Sequence, residues 1–267
     1  MKKRILCTGH LGFVGSYLVP LLKKKYRVQG WDLASGLDIF DKDFEVAVRQ
    51  NDVVIHLAAL TNVNWSFENA DEVMRVNVLG TARVVELCVK YNKKLIYPSS
   101  AAVYHRELSP YAQSKALAED ICSQFKKNIT ILRFFNIYGE GMNEDTGSLM
   151  YEFVKGLKTG KLIVFGDGEQ TRDFINIRDI VQIVETAVRK DWNGLTIDCG
   201  TGQAYSVNYI AELFGHYGKV KLKYQPPRRE IKWSIADTQL LSRLYKRKLV
   251  TNLKKDIKEL VDYYANS

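Results

Sequence analysis

The chain has 267 residues, of which 46% are hydrophobic and 26% charged, with 18 Gly and 5 Pro. These proportions exclude a disordered or low-complexity chain, and its apolar stretches stay well short of the roughly 20 residues that a membrane span needs. The formal net charge is +9, yet residues 219–258 hold 13 Lys and Arg against three acids, leaving 26 against 27 elsewhere. The excess is therefore local, and neither nucleic acid nor a membrane is the expected partner. The N-terminus, MKKRILCTGH, has no apolar core followed by a small-residue cleavage site, so it reads as the start of the fold with a cytoplasmic address. Cys7, Cys88, Cys122 and Cys199 form no Cys-x-x-Cys pair, and the histidines show no ligand spacing with them, so neither a metal nor a disulfide framework is expected.

In chain order, Arg4 to Thr8 reads as a strand and is followed at once by a glycine-spaced turn and an amphipathic helix through Tyr17, Leu18, Leu21 and Leu22. Pro20 sits awkwardly inside that helix. Then come Tyr26 to Asp32 as strand, Asp52 to Ala59 as strand, Ala70 to Tyr91 as helix, Lys94 to Ser100 as strand, Tyr111 to Lys126 as helix and Ile129 to Asn136 as strand. This alternation predicts an α/β fold with a doubly wound parallel sheet of Rossmann type. Val53 to Leu57 and Thr130 to Phe135 lack polar alternation, as central strands covered on both faces do. After Gly139 the texture changes to glycine-punctuated short elements, which predicts a smaller, discontinuous α/β lobe. The expected division is 1–138, with 174–200 returning to it, against 139–173 and 201–267. Lys219, Lys221 and Lys223 alternate with Val220, Leu222 and Tyr224, the period of a half-buried edge strand.

Gly9, Gly12 and Gly15, enclosing Phe13 and Val14, lie at the mouth of the first helix. Glycines there let the backbone approach a pyrophosphate, and the helix N-terminus offers unpaired N–H groups with a partial positive charge. Asp32 ends the second strand, seventeen residues beyond Gly15, where an acid accepts from an adenosine ribose. An acid at that place repels a 2′-phosphate, so NAD is expected rather than NADP. Tyr111 and Lys115 lie four apart on one helix face, with Ser109 as cap and Pro110 at the first position. Positive charge from Lys115 and an oxidised nicotinamide is expected to lower the phenol and make Tyr111 a proton acceptor from a sugar hydroxyl. Ser99 and Ser100 end the preceding strand, and Asn77 faces inward with Val73 and Val84, where it needs a polar partner.

These segments, with HisLeuAlaAla at 56–59, AsnValLeuGlyThr at 77–81, LeuArgPhePheAsnIleTyrGly at 132–139 and GlyAspGlyGluGlnThrArgAspPhe at 166–174, resemble an extended short-chain dehydrogenase/reductase of the NAD-dependent nucleotide-sugar epimerase and dehydratase family. The resemblance implies Ser100, Tyr111 and Lys115 as the catalytic set, with Lys115 also holding the nicotinamide ribose. It implies Asp38 and Ile39 beside the adenine, and Leu57, Ala58, Ala59, Asn77, Ser99 and Phe135 as further cofactor contacts. For the nucleotide sugar it implies Asn136 at the diphosphate, Ser148, Leu149 and Phe165 around the nucleotide, and Arg172 and Arg228 as its cationic grip. It also implies a homodimer.

Relatives that dehydrate the sugar typically carry Asp-Glu after the catalytic serine, and the decarboxylases usually carry Glu at the second position, whereas this chain has Ala101 and Ala102. The resemblance therefore points to epimerisation at C4 of a nucleotide sugar, expected to be a UDP-hexose, through a 4-keto intermediate. A nucleotide-sugar 4-reductase or C4 dehydrogenase is the alternative, followed by a non-catalytic NAD-binding protein with a basic nucleic-acid-binding surface. Only six residues separate Tyr104 from Tyr111, where relatives have a longer loop. That departure brings His105, Arg106 and Glu107 close to the sugar or leaves its pocket more open. A histidine stands at 105 in place of a glycine, and ProProArgArgGlu around Arg228 lacks the usual Gly-Asp.

Overall fold

The computed structural model describes residues 2–265, the side chains at positions 126 and 145 not being among those described. The chain divides into two compact units, Met1–Phe134 with Val181–Ile197 and Phe135–Ile180 with Asp198–Ser267. Residues 135–138, 174–180 and 198–200 thus group with the second unit rather than with the first, where the sequence reading put them.

The first unit opens with β1 (Arg4–Thr8), α1 (Phe13–Lys23), β2 (Arg27–Trp31), α2 (Lys42–Gln50), β3 (Val53–His56), α3 (Val63–Glu68) and α4 (Ala70–Met74). It continues through a π-helical turn (Arg75–Leu79) into α5 (Gly80–Lys90), β4 (Lys94–Ser100), a 3-10 stretch (Ala101–Leu108), α6 (Pro110–Gln124) and β5 (Ile129–Phe134). The second unit brings β6 (Asn136–Tyr138), α7 (Leu149–Thr159), β7 (Lys161–Phe165), β8 (Thr171–Asn176), the start of α8 (Ile177–Arg189), the end of β9 (Thr196–Cys199), β10 (Ala204–Ser206), α9 (Val207–Gly215), β11 (Lys221–Gln225), α10 (Gln239–Tyr245) and α11 (Leu253–Ala265).

The large sheet has the order β2-β1-β3-β4-β5-β9, and the pairs from β2 through β5 are parallel. Its middle strands are buried on both faces, with Val53, Val54, Ile55, Leu95, Ile96 and Leu132 at or near zero exposure, which explains their unbroken apolar runs. Trp31, Phe44, Val48, Val84, Leu87, Tyr97 and Cys122 form the core beside this sheet. The chain leaves β1 for β2 on one side and then crosses to β3 on the other, so the strand order reverses between β1 and β3, where ligands of open α/β sheets bind. α1 accommodates Pro20, which lies on its exposed side.

Three expectations are corrected. The helix expected over 70–91 is widened by the π turn, where Gly80 N–H reaches back to Arg75 O. The strand expected over 129–136 ends at Phe134, because Asn136 pairs instead with Phe174 in a three-stranded sheet, β10-β8-β6. The basic strand is not half-buried: β11 lies beside β7 in a two-stranded ribbon whose buried positions, Leu162 and Val164, belong to β7, while Leu222 and Tyr224 are 45% and 52% exposed. Among the described residues no helix is long and apolar enough to cross a membrane.

Candidate active site

In the first unit the expected cofactor residues gather at the carboxyl ends of the parallel strands. Gly9 follows β1 with φ +65°, and a Cβ placed on it would stand 2.6 Å from Ala58 N and 2.7 Å from Leu57 C. A Cβ on Gly15 would stand 2.5 Å from Gly9 O. At Gly9 and Gly15 the turn is thus packed against backbone, including the loop after β3, with no room for a side chain. Gly12 caps α1 with backbone alone, so the N–H groups of the Phe13, Val14 and Gly15 turn face outward without a side-chain partner. Such an end suits a pyrophosphate. Asp32 follows β2, and its carboxylate accepts from Leu11 N (2.9 Å) and Ala34 N (3.0 Å), which fixes the acid beside the glycine turn. Asp38 accepts from Phe40 N (3.0 Å), whereas Ile39 turns its side chain into the core against Gly80.

Asn77 lies in the π turn, buried, and finds the polar partners its position demands. Its Oδ1 accepts from Leu60 N (2.8 Å), and its Nδ2 donates to Leu60 O (2.9 Å) and Ser114 Oγ (2.9 Å). One amide thereby clamps the Leu57–Ala58–Ala59 loop to α6, a use of a π turn at a site rather than a defect of the helix.

Ser100 ends β4, and Tyr111 and Lys115 face it from α6. Ser109 caps that helix by accepting from Ala112 N (3.1 Å), and Pro110 occupies its first turn. Ser66 Oγ accepts from Tyr111 N (3.3 Å) and Ser114 Oγ donates to Tyr111 O (2.8 Å), so both main-chain groups of Tyr111 are tied down. Burial holds the phenol above its ordinary value, with the Ser100 hydroxyl offsetting only part of that rise. The expected lowering by Lys115 is absent among the protein's own groups, because that ammonium is engaged elsewhere: Nζ donates to Pro98 O (2.7 Å) and sits 4.5 Å from the centre of the Tyr97 ring. Lys115 is 4% exposed, and burial brings it down to about 8 against the opposing influence of Cys122 and Glu119.

Ser99 is buried and spends its hydroxyl on Glu119 Oε2 (2.7 Å), leaving its main chain for any cofactor contact. Glu119, one turn beyond Lys115, also receives Arg133 Nε at 3.0 and 3.1 Å as well as Nη2, and Arg133 Nη1 donates to Tyr104 OH (2.7 Å). Arg106 pairs with Asp120 (3.3 Å) and His105 Nδ1 lies 3.9 Å from Glu107, so two of the three residues of the short loop are held by local acids.

In the second unit Phe165, Arg172 and Arg228 come together. The Arg228 guanidinium stacks 4.3 Å from the Phe165 ring centre, and Glu230 joins the two arginines, at 2.7 Å from Arg172 Nη2 and 3.6 Å from Arg228 Nε. Asn136 donates to Asp173 O (3.1 Å), and Ser148 and Leu149 open α7, whose cap makes no side-chain bond. Phe135, placed in this unit, is buried and donates its N–H to Cys199 O (3.2 Å).

Residues 5–200 match the model of the NAD dependent epimerase/dehydratase family. The chain belongs to that family. It is 33% identical over 250 residues to a putative UDP-glucose 4-epimerase of Methanocaldococcus jannaschii, covering 79% of this chain and 81% of that protein. It is 30% identical over 254 residues to a UDP-N-acetyl-alpha-D-glucosaminuronate decarboxylase of Bacillus cytotoxicus, covering 79% of each. Its fold is similar to the crystal structure of UDP-glucuronic acid 4-epimerase from Bacillus cereus in complex with UDP-glucuronic acid and NAD, with a TM-score of 0.89, 27% identity and 98% and 99% of the two chains covered. NAD is the cofactor of this epimerase/dehydratase family member, and the first unit fits it: a bare helix end for the pyrophosphate, glycines where any Cβ would strike backbone, and Asp32 fixed at the tip of β2. Sequence reasoning missed Ser66, Ser114, Glu119, Arg133 and Glu230. The motifs that contain Ser114 and Arg133 were in view, but no local spacing shows what a side chain meets across the fold.

Proposed function

We propose that the protein interconverts the C4 epimers of a UDP-sugar, using NAD that is regenerated within each cycle. The observation that carries this reading is the placement of Tyr111 and Lys115 one turn apart on α6, with Ser100 at the end of β4 acting on the Tyr111 phenol and alanines at 101 and 102 where other chemistries need acids. The relatives named as UDP-sugar 4-epimerases support the same reading.

Tyr111 takes the proton from O4 as the C4 hydrogen departs with its electron pair. NAD, held by the glycine turn at the start of α1 and by Asp32, would supply the hydride acceptor and donor. Ser100, at the end of β4, orients the reacting oxygen and donates to the oxyanion that forms there. Lys115, held at Pro98 O one turn along the same helix, is placed to hold the nicotinamide ribose, and the positive charge that favours the phenolate would come from the oxidised cofactor. The 4-keto sugar then presents its other face, the hydride returns to C4, and Tyr111 returns the proton to O4, so atoms and electrons balance without net oxidation. In the second unit Arg172, Arg228 and Phe165 grip the uridine diphosphate, with planar cations matched to phosphate oxygens and a ring for the base.

The test is proton NMR of the purified protein with each C4 epimer of UDP-glucose, UDP-N-acetylglucosamine and UDP-glucuronate, with no nicotinamide added. One pair approaching a single mixture from both sides, and no turnover in Tyr111→Phe with NAD retained, is the expected result. Conversion only in stoichiometry with added NAD or NADH would replace it with a net redox reaction.

A further inference from the structure

His56 ends β3 at 2% exposure, and the catalytic scheme makes no use of it. Its two ring nitrogens meet two hydroxyls: Thr8 Oγ1 at 2.8 Å from Nδ1 and Thr81 Oγ1 at 3.3 Å from Nε2. The neighbours fix which nitrogen carries the proton. Thr81 Oγ1 is 2.6 Å from Asn77 O, a carbonyl that can only accept, so the single Thr81 proton points there. The contact with Nε2 therefore needs the ring to donate. With Nε2–H in place Nδ1 is an acceptor, which takes the Thr8 hydroxyl proton, and Thr8 Oγ1 is left to accept from Ala58 N (3.2 Å).

We infer that His56 is a positioning residue, a neutral Nε2–H imidazole that locks the loop after β3 and the Asn77 turn into one register and so sets both the cofactor loop and the backbone of Tyr111. On one side the ring holds Thr8, which holds the Ala58 amide against which Gly9 packs. On the other it holds Thr81, which holds Asn77 O, while the Asn77 side chain grips Leu60 and Ser114 and Ser114 grips Tyr111 O. Hydrogen bonds from the Ala58 amide to the Tyr111 carbonyl thus pass through this ring, each hydroxyl having one donor and one acceptor assignment. Burial, helped by the nearby Lys115 charge, pushes the imidazole down to about 3, so the ring stays neutral near neutral pH. A protonated ring would turn both nitrogens into donors and break the Thr8 link.

The role of Tyr111 rests on the function proposed above, but the arrangement of His56 does not, and the experiments separate the two. Nitrogen-15 NMR of the NAD-bound protein should show His56 with a protonated Nε2 and an unprotonated Nδ1, unchanged between about pH 5 and 8. A protonated Nδ1, or titration within that range, overturns the inference whatever the substrate is. Thr81→Val, which removes the acceptor for Nε2–H, is expected to lose bound NAD about tenfold faster and to lower kcat about tenfold with little change in KM for the sugar nucleotide; Thr81→Ser is expected to restore both. These measurements are made well below the unfolding midpoint, where a role in stability alone leaves NAD loss and kcat unchanged. If Thr81→Val matches Thr81→Ser in both, His56 positions nothing. If the NMR pattern and the NAD loss appear as expected but no UDP-sugar turns over, the positioning role stands and the function proposed above falls.

Discussion

A methyl group on Gly9 would stand 2.6 Å from the amide nitrogen of Ala58, closer than any real Cβ approaches backbone. Gly9 also holds φ +65°, a conformation that costs an L-residue about 1–2 kcal/mol. The glycine turn and the loop after β3 are therefore a single packed wall, and the cofactor loops keep their shape because they touch.

Gly9→Ala is expected to destabilise the protein by about 2 kcal/mol or more and to abolish retention of NAD through purification. Thermal unfolding and the absorbance of released cofactor check it; a variant that keeps both its midpoint and its NAD would show that the wall yields.

The Lys115 ammonium gives a second expectation. Its midpoint is brought down to about 8 by burial, and Glu119 opposes that shift. Glu119→Gln removes the negative charge and moves the Lys115 midpoint to lower pH, as followed by carbon-13 and nitrogen-15 NMR of the lysine side chain. A midpoint that stays or rises would mean that Glu119 does not act on Lys115.

The glycine turn and the Tyr111–Lys115 face were legible in the sequence because each is set by local spacing, three residues in one case and one helical turn in the other. The parallel sheet was legible from its unbroken apolar strands. The Ser99–Glu119–Arg133 cluster was not, since its members lie 20 and 14 residues apart and meet only when β4, α6 and β5 pack. The π turn at Asn77 left no mark in the apolar periodicity, which simply continues through it. The split between Phe134 and Asn136 was hidden because an apolar run does not reveal which sheet each residue joins. Alternation misled at β11, where the period is that of a strand but β7 supplies the buried side chains of the ribbon.

Burial of Lys115 has a stability consequence with a definite sign. Its native midpoint lies below the ordinary 10.5, so between about 8 and 10.5 the unfolded chain binds the additional proton and this group makes folding more favourable as pH rises. Lys115→Met is expected to be the more stable protein at pH 7, by on the order of 3 kcal/mol less the lost bond to Pro98 O, with the gap closing as pH climbs through that window. Denaturant unfolding at several pH values measures it, and a gap that widens with pH contradicts the assignment.

Arg172 and Arg228 share Glu230 and stand with Phe165. Arg172→Lys keeps the charge but loses the planar fork, so KM for the UDP-sugar is expected to rise about tenfold while NAD retention is unchanged. Steady-state kinetics on the substrate identified by NMR decides this; an unchanged KM would remove Arg172 from the nucleotide grip.

The central claim is that hydride leaves C4 and returns to the same carbon from within the site. Its most direct test is a UDP-sugar carrying deuterium at C4, turned over in ordinary water by the protein with no added nicotinamide. The account predicts that the product epimer keeps its deuterium at C4. Product carrying solvent hydrogen at C4 would contradict the account, since the proton moved by Tyr111 belongs to O4 and never to carbon.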